Sequence, residues 1–258
     1  MVDGSALPTL TSEDLARALM DISAAQEVRR AWDIYADTLA TLGFVRCMYG
    51  CAEGWHGAVD EGDVILLYRG PPGFGDIYLD EQLYLGNPVF EWCVNNEGFM
   101  ATDELMATYD GPVTPQLARL AQLRDLYGSR SGYFGSLRGV VPGIDAAVTM
   151  NPPGDMDDAT LKAIWAAHGE DVEALTRALH LRVCTLPHPV RRPLSSRQRE
   201  VLEWASQGKT VRDIACIMQI SAQTVEKHLR LAREALEAVN TPHAVRKALQ
   251  LRLLDTHH

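Results

Sequence analysis

From Ser221 to Leu236 the chain sets Gln223, Glu226, Lys227, Arg230, Arg233 and Glu234 against Val225, Leu229, Ala232 and Leu236. That is the 3.6-residue spacing of a helix with one apolar and one polar face. Amide, ammonium and guanidinium groups on such a face can reach phosphates and base edges in a DNA major groove. Lys227 and Arg230 are the first candidates for those contacts. Ser221, Thr224 and the backbone amides at the helix start are better suited to a phosphate, because a helix N-terminus offers unpaired donors and a positive dipole end. His228 sits beside the apolar seam, where packing competes with DNA contact.

Catalytic chemistry has no comparable basis in the sequence. GPPGFG at residues 70–75 is Gly-rich but lacks the Lys and Ser/Thr that follow in a phosphate-cradling loop. No HExxH, GxSxG or metal-spaced His/Cys/Asp set occurs. No catalytic residue, metal or cofactor is therefore expected. The five cysteines, Cys47, Cys51, Cys93, Cys184 and Cys216, are odd in number and form no CxxC pair, so buried free thiols are expected rather than a disulfide framework.

The polar helix needs partners to hold it. Ser195 with Gln198 forms a capping box for a helix bearing Val201, Leu202, Trp204 and Ala205, which stops at Gly208. Thr210 with Asp213 opens a second, short helix with Val211, Ile214, Ala215 and Met218 inward, and Ser221 caps the third almost at once. This is a helix-turn-helix. A fourth helix, read as capped by Thr241 with Pro242 in its first turn, carries Ala244, Val245, Ala248, Leu249, Leu251 and Leu253. Its apolar surplus points to a homodimer.

Upstream, TLPHPVRRPL at residues 185–194 holds three prolines and reads as a linker between a domain at 1–184 and one at 195–258. In the first domain helices are expected at 13–42, 76–95, 114–126 and 157–181, and strands at 44–49, 63–68 and 145–150. The fold class is α/β: an N-terminal α-β-α sandwich around an antiparallel sheet, followed by an all-α four-helix domain.

Charge separates the two parts. Residues 187–258 hold 12 Lys and Arg against 7 Asp and Glu, whereas residues 1–186 hold 12 against 27. A basic domain on an acidic body is the asymmetry expected when only one part meets nucleic acid. No apolar run is long enough for a membrane span and the N-terminus lacks a signal-peptide pattern, so a cytoplasmic protein is expected.

The segment LSSRQREVLEWASQGKTVRDIACIMQISAQTVEKHL, Leu194 to Leu229, resembles the helix-turn-helix of the LuxR family of bacterial transcription regulators. Agreement falls at Glu200, Gly208, Lys209, Thr210, Ile214, Ala215, Ser221, Thr224, Val225 and His228, and continues at Asn240, Ala244 and Val245. Leu231 and Ala235 depart from the Asn and Lys common in the family. The resemblance implies double-stranded DNA as partner, contacted through Lys209, Thr210, Ser221, Gln223, Thr224, Lys227, His228 and Arg230.

Residues 15–180 look like the family's autoinducer-binding domain. Phe74, Tyr78 and the Asn87-Pro88-Val89 run follow its spacing of Trp, Tyr and Asp-Pro; Phe99, Thr102 and Asp103 follow its Phe-x-x-Trp-Asp element, and Gly132 matches a further glycine. The resemblance implies a pocket between the sheet and one helical layer, with Phe74, Tyr78, Asn87, Thr102 and Thr149 binding an N-acyl or aryl homoserine lactone or a related small molecule. In the family the first Trp donates to the lactone carbonyl and the Asp accepts from the ligand amide. Here Phe74 has no donor, Asn87 accepts without charge, and Thr102 replaces a large aromatic lid. A ligand-independent regulator would instead fill this space with side chains, Met48, Tyr49, Leu66, Tyr68, Phe74, Tyr78, Trp92 and Phe99 serving as plain core. A protein-interaction scaffold would show no salt-dependent DNA binding.

Overall fold

The computed structural model describes residues 7–53, 64–127, 131–187 and 194–254. It divides into two compact units, Met1–Cys184 and Thr185–His258.

The first helical stretch is two helices, α1 (Ser12–Ala24) and α2 (Val28–Thr41), not one. Ile22 and Val28 are six positions apart, which is not a whole number of helical turns, so a straight helix would carry the two apolar stripes on different sides. Extended backbone at Ala25 lets Ile22 and Val28, Trp32, Tyr35 and Leu39 all be buried. Arg182 closes the break by donating Nε to the Ala25 carbonyl at 2.7 Å. Thr11 caps α1 by accepting from Asp14 N.

After β1 (Arg46–Glu53) and β2 (Ile65–Arg69), the stretch read as one helix at 76–95 is again two, α3 (Phe74–Asp80) and α4 (Pro88–Asn95). Gln82 and Gly86 take positive φ between them, and Pro88 has no N–H to continue a helix but fits the first turn of a new one. β3 (Gly98–Ala101), α5 (Thr102–Thr108), α6 (Pro115–Leu126), β4 (Tyr133–Ser136), β5 (Ile144–Asn151) and α7 (Asp158–Val183) complete the unit.

The five strands form one antiparallel sheet in the order β2-β1-β5-β4-β3. Side-chain alternation gives it two faces. Cys47, Tyr49 and Cys51 of β1 and Ala146, Val148 and Met150 of β5 are buried on one side. There the Tyr49 hydroxyl meets His180 Nδ1 of α7 at 2.7 Å, and the Tyr35 hydroxyl of α2 meets Thr176 Oγ1 at 2.9 Å. Arg46, Met48 and Gly50, with Ala147, Thr149 and Asn151, face the opposite layer, in which α3, α4 and α6 lie. Four of the cysteines are buried free thiols and Cys216 is exposed; burial pushes Cys47 and Cys93 up to about 12.

The second unit is α8 (Ser196–Ser206), α9 (Val211–Met218), α10 (Ala222–Ala235) and α11 (Thr241–Gln250). Both capping boxes form, at Ser195/Gln198 and Thr210/Asp213. α11 is capped by Asn240, which accepts from His243 N at 2.8 Å, rather than by Thr241, whose hydroxyl instead receives Arg233 Nη1 at 3.0 Å. Val201, Leu202, Ile214, Met218, Val225, Leu229, Ala232, Ala244 and Ala248 make the core. Residues 188–193 of the expected linker lie outside the described residues.

Candidate functional site

The strand registers lay out a floor in rows. Arg46 pairs with Asn151; the next row is Tyr68, Met48 and Thr149, and the third is Leu66, Gly50 and Ala147. Successive rows lie two residues, about 7 Å, apart. Over this floor α3 contributes Phe74, Tyr78 and Leu79, α4 with its cap contributes Asn87, Val89 and Phe90, and α6 contributes Leu120, Leu123 and Arg124. They enclose a cavity of about 160 Å³. An engineered apolar cavity of roughly 150 Å³ takes a benzene ring, so this space suits a ring or a short chain.

All five residues expected to bind ligand, Phe74, Tyr78, Asn87, Thr102 and Thr149, line this cavity. Phe74 stands at the centre of an aromatic wall. It stacks on Tyr68 at 5.3 Å and on Tyr78 at 6.1 Å, and meets the edge of Tyr127 at 6.0 Å. Asn87 caps α4, its Oδ1 accepting from Val89 N at 3.0 Å, and its side-chain amide acts on the ionisation of the Tyr78 phenol. Burial raises the Tyr78 pKa well above its usual value, more than the Asn87 amide lowers it, so the phenol stays protonated and can donate. Thr102 opens α5 and is buried, with its backbone N–H donated to the Gly132 carbonyl at 2.9 Å.

Of the residues named as possible core, Met48, Leu66 and Tyr68 line the cavity, Tyr49 lies on the opposite face, and Trp92 packs edge-on against Phe134 at 5.3 Å. Sequence reasoning missed Arg46, Asn151, Arg124 and Tyr127. Their signal was positional: Arg46 has the same strand parity as Met48, and Arg124 and Tyr127 extend the stripe begun by Leu120 and Leu123.

In the second unit Lys209, Thr210, Ser221, Gln223, Lys227 and Arg230 are exposed, and Thr224 and His228 are half-buried. Ser221 Oγ accepts from Thr224 N at 3.1 Å. Arg230 Nη1 reaches Glu234 Oε1 at 2.5 Å, an exposed pair that a phosphate can replace. Arg233, expected on the outer face, is half-buried and turns to Thr241, because α11 packs beside that side of α10. His228 Nδ1 is enclosed, which places the ring at the seam rather than on the polar face.

Among the described residues no group of His, Cys, Asp and Glu is arranged to hold a metal, and no helix is long and apolar enough to cross a membrane. A cavity-bearing α-β-α domain followed by a helix-turn-helix defines a ligand-responsive DNA-binding regulator as the class.

Comparison with known proteins makes the class specific. The luxR family of bacterial regulatory proteins matches residues 192–248, and the autoinducer-binding domain matches residues 27–183. The transcriptional activator protein BjaR1 of Bradyrhizobium diazoefficiens is 28% identical over 193 residues, covering 74% of this chain and 76% of that protein. The quorum sensing-dependent transcriptional regulator RpaR of Rhodopseudomonas palustris is 31% identical over 186 residues, covering 71% and 72%. The solved structure of CepR2 from Burkholderia cenocepacia, an N-acylhomoserine lactone dependent LuxR family factor, shares the fold at a TM-score of 0.50 and 16% identity, over 64% of this chain and 90% of that one. The chain belongs to the luxR family, as a DNA-binding quorum-sensing receptor with an autoinducer-binding domain. It is a transcription regulator and not an enzyme.

Proposed function

We propose that the cavity binds a compact N-acyl or aryl homoserine lactone, or a related amide, and that occupancy alters operator binding by a homodimer in the cytoplasm. The observation that carries this reading is the open space of about 160 Å³ beneath Phe74, Tyr78 and Asn87; a ligand-independent regulator would fill it with side chains. Tyr78 and Thr149 supply hydroxyls, Asn87 an amide, and Phe74 an aromatic wall. Ligand bound to the folded receptor stabilises it by mass action and shifts the population towards the state that it fits best.

DNA contact is assigned to Lys209, Thr210, Ser221, Gln223, Thr224, Lys227 and Arg230, with His228 supporting the helix from the seam. Residues 185–194 serve as the linker. The homodimer reading is supported by Leu249, which α11 leaves partly exposed beside the buried Ala248. A two-fold dimer binds a palindromic operator with half-sites about one helical turn apart.

The test is native mass spectrometry of the full chain purified from cells grown with and without a panel of acyl and aryl lactones. Retained ligand mass with a raised dimer fraction is expected. Protein that stays empty across the panel yet dimerises would overturn the sensor reading in favour of the ligand-independent one.

A further inference from the structure

Gly50 stands within β1, the strand that lies between β2 and β5, and faces the cavity from the third row of its floor. A glycine inside a strand has no side chain to pack and weakens the strand, so it marks a bulge, a left-handed backbone or the close approach of another group. The pairing of β1 with β5 runs unbroken from Arg46 to Glu53, and Gly50 is not among the glycines with positive φ. No protein group crowds it either. A Cβ on residue 50 would meet Leu66 Cδ1 at 3.7 Å and the Ile65 carbonyl at 4.0 Å, both ordinary contacts. Gly135, by contrast, is held to glycine by the Phe99 ring, which a Cβ would meet at 2.4 Å. The fold therefore gives no reason for a glycine at 50, and the open side of that residue is the cavity.

Its surroundings define what can approach. Leu66, Gly50 and Ala147 form one row and are each half-buried, with their open sides on the cavity. Ala147 clusters with Val64, Val89 and Phe90, which line the same space. β1 is paired on both edges here. A polar ligand group at this place would leave water without gaining a partner, whereas a hydrocarbon group loses nothing. The Thr149 hydroxyl and the Tyr68 phenol stand one row away.

Building on the reading of the cavity as a ligand site, we infer that Gly50 is the specificity-determining residue for the hydrocarbon end of the ligand. That end lies against bare β1 backbone between Leu66 and Ala147, and the missing Cβ sets how bulky it can be. The glycine serves the ligand at the expense of the strand.

The experiment compares the full chain with Gly50→Ala and Gly50→Val, by melting without ligand and by calorimetric titration with N-butanoyl-, N-hexanoyl- and N-benzoyl-homoserine lactone. The added methyl fits the ligand-free fold and restricts the unfolded chain, so Gly50→Ala should raise the melting temperature by about 1–4 °C. The same methyl takes up the ligand's space. The hexanoyl and benzoyl lactones should therefore bind about tenfold or more weaker, with a smaller loss for the butanoyl lactone. Gly50→Val should extend the loss to the butanoyl lactone. A lowered melting temperature or an unfolded Gly50→Ala would return the glycine to the fold and overturn the inference, as would unchanged affinity for all three lactones; the ligand site stands in either case while the unaltered chain binds. An unaltered chain that binds none of the three would overturn the ligand-site reading and this inference with it.

Discussion

The Asn151 side chain lies directly over Gly132. Its Nδ2 donates to the Ser131 carbonyl at 3.0 Å and stands 2.3 Å from where a Cβ on residue 132 would be. The Met150 carbonyl is 2.5 Å from the same point. One missing side chain thus lets the end of β5 close over β4. It also sets the first row of the cavity floor, since Asn151 faces Arg46 and Thr102 is bonded to the Gly132 carbonyl.

Gly132→Ala should therefore be costly. The asparagine side chain can swing aside but the Met150 backbone must shift, and overpacking of this kind costs about 1–3 kcal/mol. Urea unfolding should show a lowered midpoint, and ligand affinity should fall with it because Asn151 and Thr102 both border the cavity. An unchanged midpoint would show that the close approach is not a constraint in solution.

Tyr78→Phe removes the buried phenol hydroxyl while keeping the ring that stacks on Phe74. Loss of one hydrogen bond of about 1 kcal/mol predicts roughly fivefold weaker ligand binding. The Asn87 side chain remains tied to Val89 N, so the melting temperature should change less than the affinity. Equal affinities for the two proteins in calorimetry would remove the phenol from the binding scheme.

On the DNA side, Lys227→Ala combined with Arg230→Ala should weaken operator binding and flatten the dependence of log K on log salt by about two phosphate contacts, with no loss of helical circular dichroism. Glu234→Gln should act in the opposite direction. It releases Arg230 from the pair at 2.5 Å, so non-specific affinity rises modestly and the salt dependence steepens. Gel shifts across a salt series separate the two effects. An unchanged slope in the double variant would exclude both side chains from phosphate contact.

The second unit was more legible in the sequence than the first because its signals are local. Ser195/Gln198, Thr210/Asp213 and Ser221/Thr224 are contacts three residues apart, and each cap forms as read. Arg233 was misplaced because helical period alone does not tell which neighbour covers which side, and α11 was packed there. In the first unit the errors were long-range. β4, at Tyr133–Ser136, is short and wholly buried, so it shows no alternation; its Gly135 is explained only by the Phe99 ring on β3, which a Cβ would meet at 2.4 Å. Both over-long helices failed at phase or chain breaks, at Ala25 and Pro88. The pocket residues were found by resemblance to a spacing pattern, whereas Arg46 and Arg124 lie outside that pattern and became visible only when strand register and helix face were combined.

Asp157 offers a pH test of the element that backs the sheet. It caps α7 by accepting from Thr160 N at 2.9 Å and from Thr160 Oγ1 at 2.8 Å, and these bonds to the ionised form hold its carboxyl below the ordinary value of 3.8. A group whose folded pKa is depressed contributes stability that is fully present above its unfolded value and is lost as pH falls through the folded one. Asp157→Ala should therefore melt lower than the unaltered chain near neutral pH, and the gap should narrow only once the pH drops below 3.8. Asp157→Asn, which keeps an acceptor but no charge, should fall between the two at neutral pH; its gap to the unaltered chain should narrow over the same acid range, while its gap to Asp157→Ala should stay constant. Melting curves of the three proteins across the acid range check this, and a gap that closes already between neutral pH and 5, about one unit above the unfolded pKa, would assign the stability to a different titrating group.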